Sequence, residues 1–315
     1  MSATATRPRI GFLGLGWIGK SRMDALLGSG IAECAGVADP ALPDAFDSLE
    51  ELLEGRPDAV VIATPSALHA EHAVQALAAG AAVFCQKPLG RDAAETEAVV
   101  EVAKSADRLL GVDLSYRATE AARRCRELVA GDELGDVYAA ELTFHNAYGP
   151  DKAWYYDPAL SGGGCLVDLG SHLVDLLLWI VDANVAEVNA RLVHHRGLVV
   201  EDYATAHLEL DNGAVVSMSC SWNLPAGRDA VIEAVFYGTR GGVRLHNVNG
   251  SFYDLRAERC DGTSAESLVE PPDDWGGRAL IEWASRLALS PRYDPEIVHV
   301  VETARVLDRM YGRKT

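Results

Sequence analysis

Short apolar segments alternate with longer amphipathic segments over the first 113 residues of the chain. The short segments have the length of buried strands, and the longer ones have helical spacing of their apolar residues. This alternation is typical of a doubly wound parallel sheet, in which each helix returns the chain to the next parallel strand. The predicted strands are residues 10–13, 35–38, 59–63, 82–85 and 109–112, and the clearest helices are 68–79 and 93–106.

The pattern changes after residue 116, where strands with alternating polar and apolar residues predominate. A Gly-rich loop leads into a predicted helix over 166–181, and Asn212-Gly213 predicts a hairpin turn. Further predicted helices are 120–130, 275–289 and 295–311, and further strands are 137–145, 187–195, 204–210, 214–222, 231–237, 242–246 and 251–255. The fold class is therefore α/β, with a parallel-sheet domain over 1–118 and an α/β domain with a large, mostly antiparallel sheet over 119–315.

Composition narrows the possible partners. The chain has 315 residues and a net charge of −18, which disfavours binding to a phosphate backbone. The polar residues 1–9 contain no apolar signal region, and no uninterrupted apolar run reaches the length of about 20 residues that spans a bilayer. Six widely separated cysteines predict neither a zinc site nor a disulfide framework. We expect a cytoplasmic protein without a metal, a nucleic-acid partner or a membrane partner.

A glycine motif follows the first predicted strand. The residues Gly14-Leu15-Gly16-Trp17-Ile18-Gly19 open a predicted helix, which is the context in which G-x-G-x-x-G indicates a dinucleotide-binding Rossmann fold. Gly14 permits a tight turn, Gly16 allows close approach of a pyrophosphate, and Gly19 allows close packing of helix and strand.

Asp39 indicates which dinucleotide this motif binds. It ends the second predicted strand, 20 residues after Gly19, where a carboxylate can accept hydrogen bonds from the ribose hydroxyls of NAD. The same carboxylate would repel the 2′-phosphate of NADP, and the residues after Asp39, Pro40 to Pro43, offer no basic side chain. The sequence therefore predicts NAD as the cofactor, with NADP disfavoured.

Two further segments place polar residues in apolar surroundings. The first is Cys85-Gln86-Lys87-Pro88-Leu89, at the end of the fourth predicted strand, and the second, over 161–175, reads SGGGCLVDLGSHLVD. Together with the glycine motif, these segments make the chain resemble the glucose-fructose oxidoreductase/inositol dehydrogenase (Gfo/Idh/MocA) family. In that family the first segment reads Glu-Lys-Pro and the second reads Gly-Gly-Gly-x-Leu-x-Asp-x-Gly-x-His.

The resemblance implies a catalytic set and an oligomer. It implies that Lys87, Asp168 and His172 carry the chemistry and that the open sheet of the second domain forms a homodimer or homotetramer interface. The residues support the catalytic set independently. Asp168 and His172 are four apart on a predicted helix, where a carboxylate can orient an imidazole, and Pro88 restricts Lys87 to an extended backbone and permits a cis peptide bond.

Other predicted site residues complete the cofactor and substrate sites. Gln86 stands where the family has Glu, which removes a negative charge beside Lys87 and bears on pH dependence more than on reaction type. The predicted substrate-binding residues besides Asp168 and His172 are Tyr116, His145 and Trp154. The predicted cofactor-binding residues are Gly14, Gly16, Trp17, Ile18, Gly19, Asp39, Thr64, Pro65, His69, Gln86 and Lys87.

The sequence thus predicts an NAD-dependent dehydrogenase acting on a secondary hydroxyl or ketone of a sugar, cyclitol or glycoside. The negative charge also suits a cationic amino-sugar or aminoglycoside. Two alternatives stay open. One is an NAD-dependent glycoside hydrolase-like enzyme, and the other is a dinucleotide-sensing regulatory protein without catalysis. Retention of Lys87, Asp168 and His172 disfavours the regulator.

Overall fold

The computed structural model describes residues 7–314, which form two compact units. The first unit contains residues 7–115 and Gly276–Glu302, and the second contains Tyr116–Trp275 and residues 303–314. Residues 1–6, to which the expectation about a signal region also applies, lie outside the described range. The division near residue 115 is close to the predicted boundary at 118, but the segment from residue 276 to 302 groups with the first unit rather than the second.

The first unit contains a five-stranded parallel sheet with the order β2-β1-β3-β4-β5, as predicted for a doubly wound fold. Its strands are β1 (Arg9–Leu13), β2 (Glu33–Ala38), β3 (Ala59–Ile62), β4 (Ala82–Cys85) and β5 (Leu110–Val112). Its first four helices are α1 (Trp17–Gly28), α2 (Leu49–Glu54), α3 (His69–Ala78) and α4 (Ala93–Ala106). The pattern missed α2, because a six-residue helix is too short to show an amphipathic repeat.

The second unit contains an eight-stranded sheet, ordered β13-β12-β11-β10-β6-β9-β8-β7, in which only the β6–β9 pair is parallel. Its elements before the last two helices are α5 (Glu120–Ala130), β6 (Val137–Asn146), α6 (Pro158–Ser161), α7 (Ser171–Val181), β7 (Val185–Val193), β8 (Tyr203–Leu210), β9 (Val215–Ser221), β10 (Ala230–Gly238), β11 (Gly241–Asn247), β12 (Leu255–Asp261) and β13 (Ser264–Val269). The last helices are α8 (Arg278–Leu289) and α9 (His299–Met310). The mostly antiparallel sheet is confirmed.

One predicted strand is wrong. Residues 251–255 form a turn, because Ser251 Oγ accepts from the amide of Asp254 and Asn247 donates to the Ser251 carbonyl. The strand begins only at Leu255 and pairs with β13, which the pattern missed. The exposed edge strand β13 has no buried face, so its sequence carries no alternation signal.

The predicted helix over 166–181 consists of two parts. Leu166–Gly170 forms a π-helical turn, and α7 follows it directly. By length and composition alone, the run Pro158–Val181 is apolar enough to cross a membrane, yet 78% of its most apolar window is buried within the protein. Its packing makes it a core helix of the second unit.

Helix α8 completes the core of the first unit. Its Trp283 is 1% exposed and lies 5.5 Å from the Phe84 ring of β4, centroid to centroid. Leu280 and Ala284 join the same apolar cluster as Phe12 of β1. The amphipathic pattern predicts such a helix but does not indicate which sheet its apolar face covers.

Candidate functional site

The glycine loop after β1 has the geometry of a phosphate-binding turn. Gly14 has φ +83°, and a Cβ there would lie 2.8 Å from the Ala63 carbonyl oxygen. A Cβ on Gly19 would collide with the Gly14 carbonyl oxygen, so this glycine permits close packing of α1 on the loop. A Cβ on Gly16, in contrast, would meet no atom within 4 Å, so the backbone there borders open space that a ligand can approach.

Trp17 and Ile18 begin α1 directly after that open position. The indole of Trp17 is 75% exposed, and Ile18 is half-buried. Both residues are therefore placed at the helix N-terminus, where free amides and the helix dipole favour an anion.

Asp39 lies beside this loop. Its Oδ2 accepts a hydrogen bond from the Leu15 amide at 2.7 Å, and its Oδ1 accepts from the Ala41 amide at 2.9 Å. The carboxylate is thus held at the end of β2 next to the glycine turn. The open backbone at Gly16 and this fixed carboxylate together fit the pyrophosphate and ribose of a nicotinamide dinucleotide.

Thr64, Pro65 and His69 follow β3. His69 is 2% exposed, and its Nδ1 and Nε2 lie 2.7 and 2.6 Å from the carbonyl oxygens of Pro88 and Thr64. Burial lowers the pKa of His69, while both carbonyl oxygens act in the opposite direction. His69 therefore ties the segment after β3 to the segment after β4 and uses both ring nitrogens within the protein.

Gln86 and Lys87 follow β4. Gln86 is buried and donates its side-chain amide to Asp113, and the Lys87–Pro88 peptide bond is cis. The segments that begin at Gly14, Thr64 and Gln86 extend from the carboxyl ends of β1, β3 and β4, which are neighbours in the sheet. Ligands of open parallel sheets bind at this edge. The structure therefore brings the predicted cofactor segments together.

The Gly-rich segment of the second unit is anchored by Glu201, which is 2% exposed. Its Oε1 accepts from the amides of Gly164 and Leu166 at 2.9 Å each and from the Tyr311 hydroxyl at 2.7 Å. A Cβ on Gly164 would collide with the Glu201 carbonyl oxygen. This close approach explains why a glycine precedes the π-helical turn.

Asp168 and His172 come directly after the part of the segment that Glu201 anchors. Asp168 lies in the π-helical turn, where its Oδ2 accepts from Trp222 Nε1 at 3.0 Å. His172 lies in the first turn of α7 and is 8% exposed, with the ring of Tyr116 edge-on at 4.9 Å between centroids. The structure thus brings the rings of Tyr116 and His172 into contact. Burial raises the pKa of Tyr116 well above its usual value.

An aromatic series leads from Trp154 to Asp168. Trp154 stacks on Tyr155 with ring centroids 3.8 Å apart, and Tyr155 lies edge-on to Trp222 at 6.4 Å. Trp222 in turn binds Asp168. Sequence reasoning included Trp154 but missed Tyr155 and Trp222, although two adjacent tyrosines after Trp154 and a tryptophan that ends a serine-rich strand were visible signals.

His145 lies elsewhere in the second unit. It neighbours Phe144 on β6, so the two side chains point to opposite faces of the sheet. Phe144 packs near His172, whereas the His145 ring stacks on Tyr203 and has Nδ1 2.8 Å from Ser221 Oγ. Burial lowers the pKa of His145. The structure therefore does not bring His145 to the face of the sheet that holds His172.

The comparisons with known proteins cover both units. Residues 8–114 match a family model described as an oxidoreductase family with an NAD-binding Rossmann fold, and residues 122–244 match the GFO/IDH/MocA C-terminal domain. Glucose-6-phosphate 3-dehydrogenase of Bacillus subtilis is 26% identical over 312 residues, covering 87% of each chain. D-xylose 1-dehydrogenase (NADP(+)) 2 of Haloferax volcanii is 31% identical over 258 residues, covering 80% of this chain and 72% of the relative.

Solved structures agree with the fold. The crystal structure of GenD2 from gentamicin A biosynthesis, in complex with NAD, aligns with a TM-score of 0.81 at 24% identity and covers 97% of this chain and 93% of that chain. The glycine loop, the Lys-Pro segment and the Gly-rich Asp/His segment all lie within the matched ranges. The chain therefore belongs to the Gfo/Idh/MocA family of NAD-binding oxidoreductases.

Proposed function

We propose that the protein is an NAD-dependent dehydrogenase that oxidises a secondary hydroxyl of a sugar, a cyclitol or a glycoside, or reduces the corresponding ketone. The observation that carries the proposal is the setting of Asp168 and His172. Both lie on a segment anchored by the buried Glu201, and aromatic rings contact each of them. Polar groups among aromatic surfaces suit a polyhydroxylated ring, which needs both hydrogen bonds and apolar contact.

The reaction removes a proton from the substrate hydroxyl while a hydride leaves the carbon that bears this hydroxyl. NAD, when bound, supplies the hydride acceptor. His172 takes the proton, because an imidazole titrates near neutral pH, and Asp168 orients the ring and stabilises its charged form. Lys87 donates a hydrogen bond to the same oxygen and stabilises the negative charge that develops there, although the two residues could exchange roles.

NAD is the proposed cofactor in preference to NADP. The support is the Asp39 carboxylate, which is held by two backbone amides next to the glycine turn. Gly14, Gly16, Trp17, Ile18 and Gly19 would hold the pyrophosphate, while Thr64, Pro65, Gln86 and Lys87 line the carboxyl edge of the sheet. We assign His69 to positioning these segments, since both its ring nitrogens are occupied by carbonyl oxygens.

Substrate binding is assigned to Tyr116, Trp154, Asp168 and His172, with His145 left out because of its place on the opposite face of β6. The net charge of −18 favours a cationic amino-sugar within the wider class of sugars and cyclitols. A homodimer or homotetramer formed through the eight-stranded sheet and a cytoplasmic location complete the proposal.

Turnover by two variants tests the catalytic assignment. Lys87→Ala and His172→Ala should each lower kcat by about 10²–10⁴-fold, the range expected for loss of a general base or a stabilising charge, and should leave NAD affinity nearly unchanged. Lys104→Ala and His195→Ala, at exposed positions, are the matched controls. NAD reduction is measured with a panel of sugars, cyclitols and amino-glycosides, and NAD binding is measured by titration.

The outcomes separate the three functions. Near-normal kcat in both variants would remove the catalytic assignment. NAD binding without turnover on any substrate of the panel would favour a regulatory protein. Cleavage of a glycoside without net accumulation of NADH would favour the hydrolase-like reaction.

A further inference from the structure

A buried charged network lies at the carboxyl edge of the parallel sheet, and the proposed chemistry gives no role to its two charged members, Arg22 and Asp113. Arg22 of α1 donates its Nε–H to Asp113 Oδ2 at 2.6 Å, and both side chains are buried. Gln86 donates its side-chain amide to the same oxygen of Asp113. The three residues come from α1, from the position after β4 and from the position after β5.

Arg22 and Gln86 are each held by further hydrogen bonds. Arg22 donates to the Ser115 hydroxyl at 3.2 Å and to the Gly276 carbonyl oxygen. The backbone N–H of Gln86 donates to the Ile62 carbonyl oxygen at 2.9 Å, which continues the hydrogen-bond ladder between β3 and β4. The side-chain hydrogen bond to Asp113 therefore adds a second constraint on the residue immediately before Lys87.

The network determines which residue type position 86 can hold. Asp113 Oδ2 accepts two hydrogen bonds, so the side chain at position 86 must be a donor. A glutamate there would place two carboxylates at hydrogen-bonding separation, and like charges so close cannot both ionise without a large cost. Asp113 Oδ1 is buried and has no hydrogen-bond partner within residues 7–314, so no donor on that side could stabilise a second negative charge.

We propose that Arg22 and Asp113 are positioning residues that hold Gln86, and with it the adjacent Lys87, at the edge of the sheet. The carboxylate of Asp113 is the reason that an amide occupies position 86. The negative charge missing from position 86 is thus carried by Asp113, directly after the neighbouring strand β5, where it is paired with Arg22. The inference rests on the proposed catalytic role of Lys87.

Replacing the Gln86 amide by a carboxylate tests the pairing of position 86 with Asp113. In Gln86→Glu, the two acids must share a proton, and the pair loses it at higher pH than an isolated carboxyl group does. The other ionisable groups nearby are Arg22, Cys85, Lys87 and His69. Burial, and to a smaller extent the charge of Asp113, raises the pKa of Cys85 well above its usual value. A new pH dependence in the acidic to neutral range therefore reports on the introduced acid pair.

The measurements are kcat against pH and, separately, the thermal midpoint Tm against pH without cofactor. Relative to the wild type at the same pH, the kcat of Gln86→Glu should fall by about 10- to 100-fold as the shared proton leaves, because a small displacement of a reacting group costs that much. Its Tm should fall over the same pH range, since a group with a raised folded pKa stabilises only below that pKa. Gln86→Met, which removes the donor without adding charge, should lower kcat without the new pH dependence.

Gln86→Glu combined with Asp113→Asn restores one carboxylate and one amide beside Arg22. This double variant should recover most of the lost kcat and lose the new pH dependence of Tm. Gln86→Glu with a wild-type pH profile, or a double variant no better than Gln86→Glu, would overturn the inference. Near-normal kcat in Lys87→Ala would overturn the proposed function instead, and the pH dependence of Tm would still decide the carboxylate–amide pairing.

Discussion

Asp39 shows how one carboxylate can serve the loop and a ligand. Its two oxygens accept hydrogen bonds from the backbone amides of Leu15 and Ala41, so the backbone already orients the side chain beside the glycine turn. A carboxylate oxygen has capacity for more than one donor, which leaves room for a ribose hydroxyl. We therefore expect the charge of Asp39 to favour a ribose hydroxyl over a phosphate at this position.

Asp39→Ser should reverse or abolish the preference for NAD. Loss of hydrogen bonds to a charged group is expected to weaken NAD binding by about 10- to 100-fold, and removal of the negative charge should improve NADP binding. Dissociation constants for both dinucleotides, measured by fluorescence titration, test this. Asp44→Ser, an exposed position in the same connection, is the control. A wild type that prefers NADP would show that the ribose assignment is wrong.

At the scale of elements, the Gly-rich segment depends on a distant glutamate. Glu201 precedes β8, yet its Oε1 accepts hydrogen bonds from the amides of Gly164 and Leu166 at the start of the π-helical turn. The hydroxyl of Tyr311, just beyond α9, donates to the same oxygen. Two parts of the chain that are far apart in sequence, at Glu201 and Tyr311, therefore fix the segment that carries Asp168.

A series of variants measures this anchor. Tyr311→Phe removes one donor and should destabilise the protein by about 1 kcal/mol, whereas Glu201→Ala leaves three donors without their acceptor and should cost about 3 kcal/mol or more. Glu201→Gln, which keeps an oxygen in place, should fall between them. Urea unfolding gives these free energies. Equal costs for all three variants would mean that Glu201 does not act through these hydrogen bonds.

The sequence was most informative where local chemistry decides the structure. The strands of the first unit, the helix boundaries at Ala93 and Glu120, and the turn at Gly213 were predicted because periodicity and glycine act over a few residues. Trp222 and Glu201 were missed as parts of the site, because their partners lie 54 and at least 35 residues away. The π-helical turn was missed because its residues read as a continuous apolar helix.

At the scale of the whole molecule, each unit has its own apolar core, and the core of the second unit contains buried thiols. Cys125 of α5 is fully buried, which raises the pKa of its thiol from 9.0 to about 12. The unfolded thiol ionises from about pH 9. Between those values the folded state binds more protons than the unfolded state, so stability falls as pH rises.

The expected loss from Cys125 is about 1 kcal/mol between pH 9 and pH 10, somewhat below the limit of about 1.4 kcal/mol per pH unit for one group, because the unfolded thiol is only partly ionised at pH 9. Cys125→Ala should therefore reduce the decline in unfolding free energy between pH 9 and pH 10. Denaturant unfolding at several pH values measures the two slopes. Cys34→Ala removes an exposed thiol and is the matched control. An unchanged slope in Cys125→Ala would contradict the assignment.

The net charge of −18 acts over the whole surface. If the substrate is a cationic amino-sugar, attraction should raise kcat/KM at low ionic strength, and salt should lower it by screening. A neutral sugar of the same ring size should show little dependence. Measuring kcat/KM for both substrates at several salt concentrations compares the amino-sugar with the neutral sugar. Activity restricted to neutral sugars would remove the amino-sugar from the proposed substrates.

The return of the chain to the first unit has a consequence for biosynthesis. Residues 276–302 supply Trp283 and Val300 to cores that otherwise consist of residues before position 115, and α9 continues from this segment into the second unit. A ribosome that has made the whole parallel sheet has not yet made the last of the side chains that cover it. The first unit therefore cannot finish folding until nearly 190 further residues have been translated, and a nascent chain stalled at position 275 would expose apolar surface to chaperones and proteases.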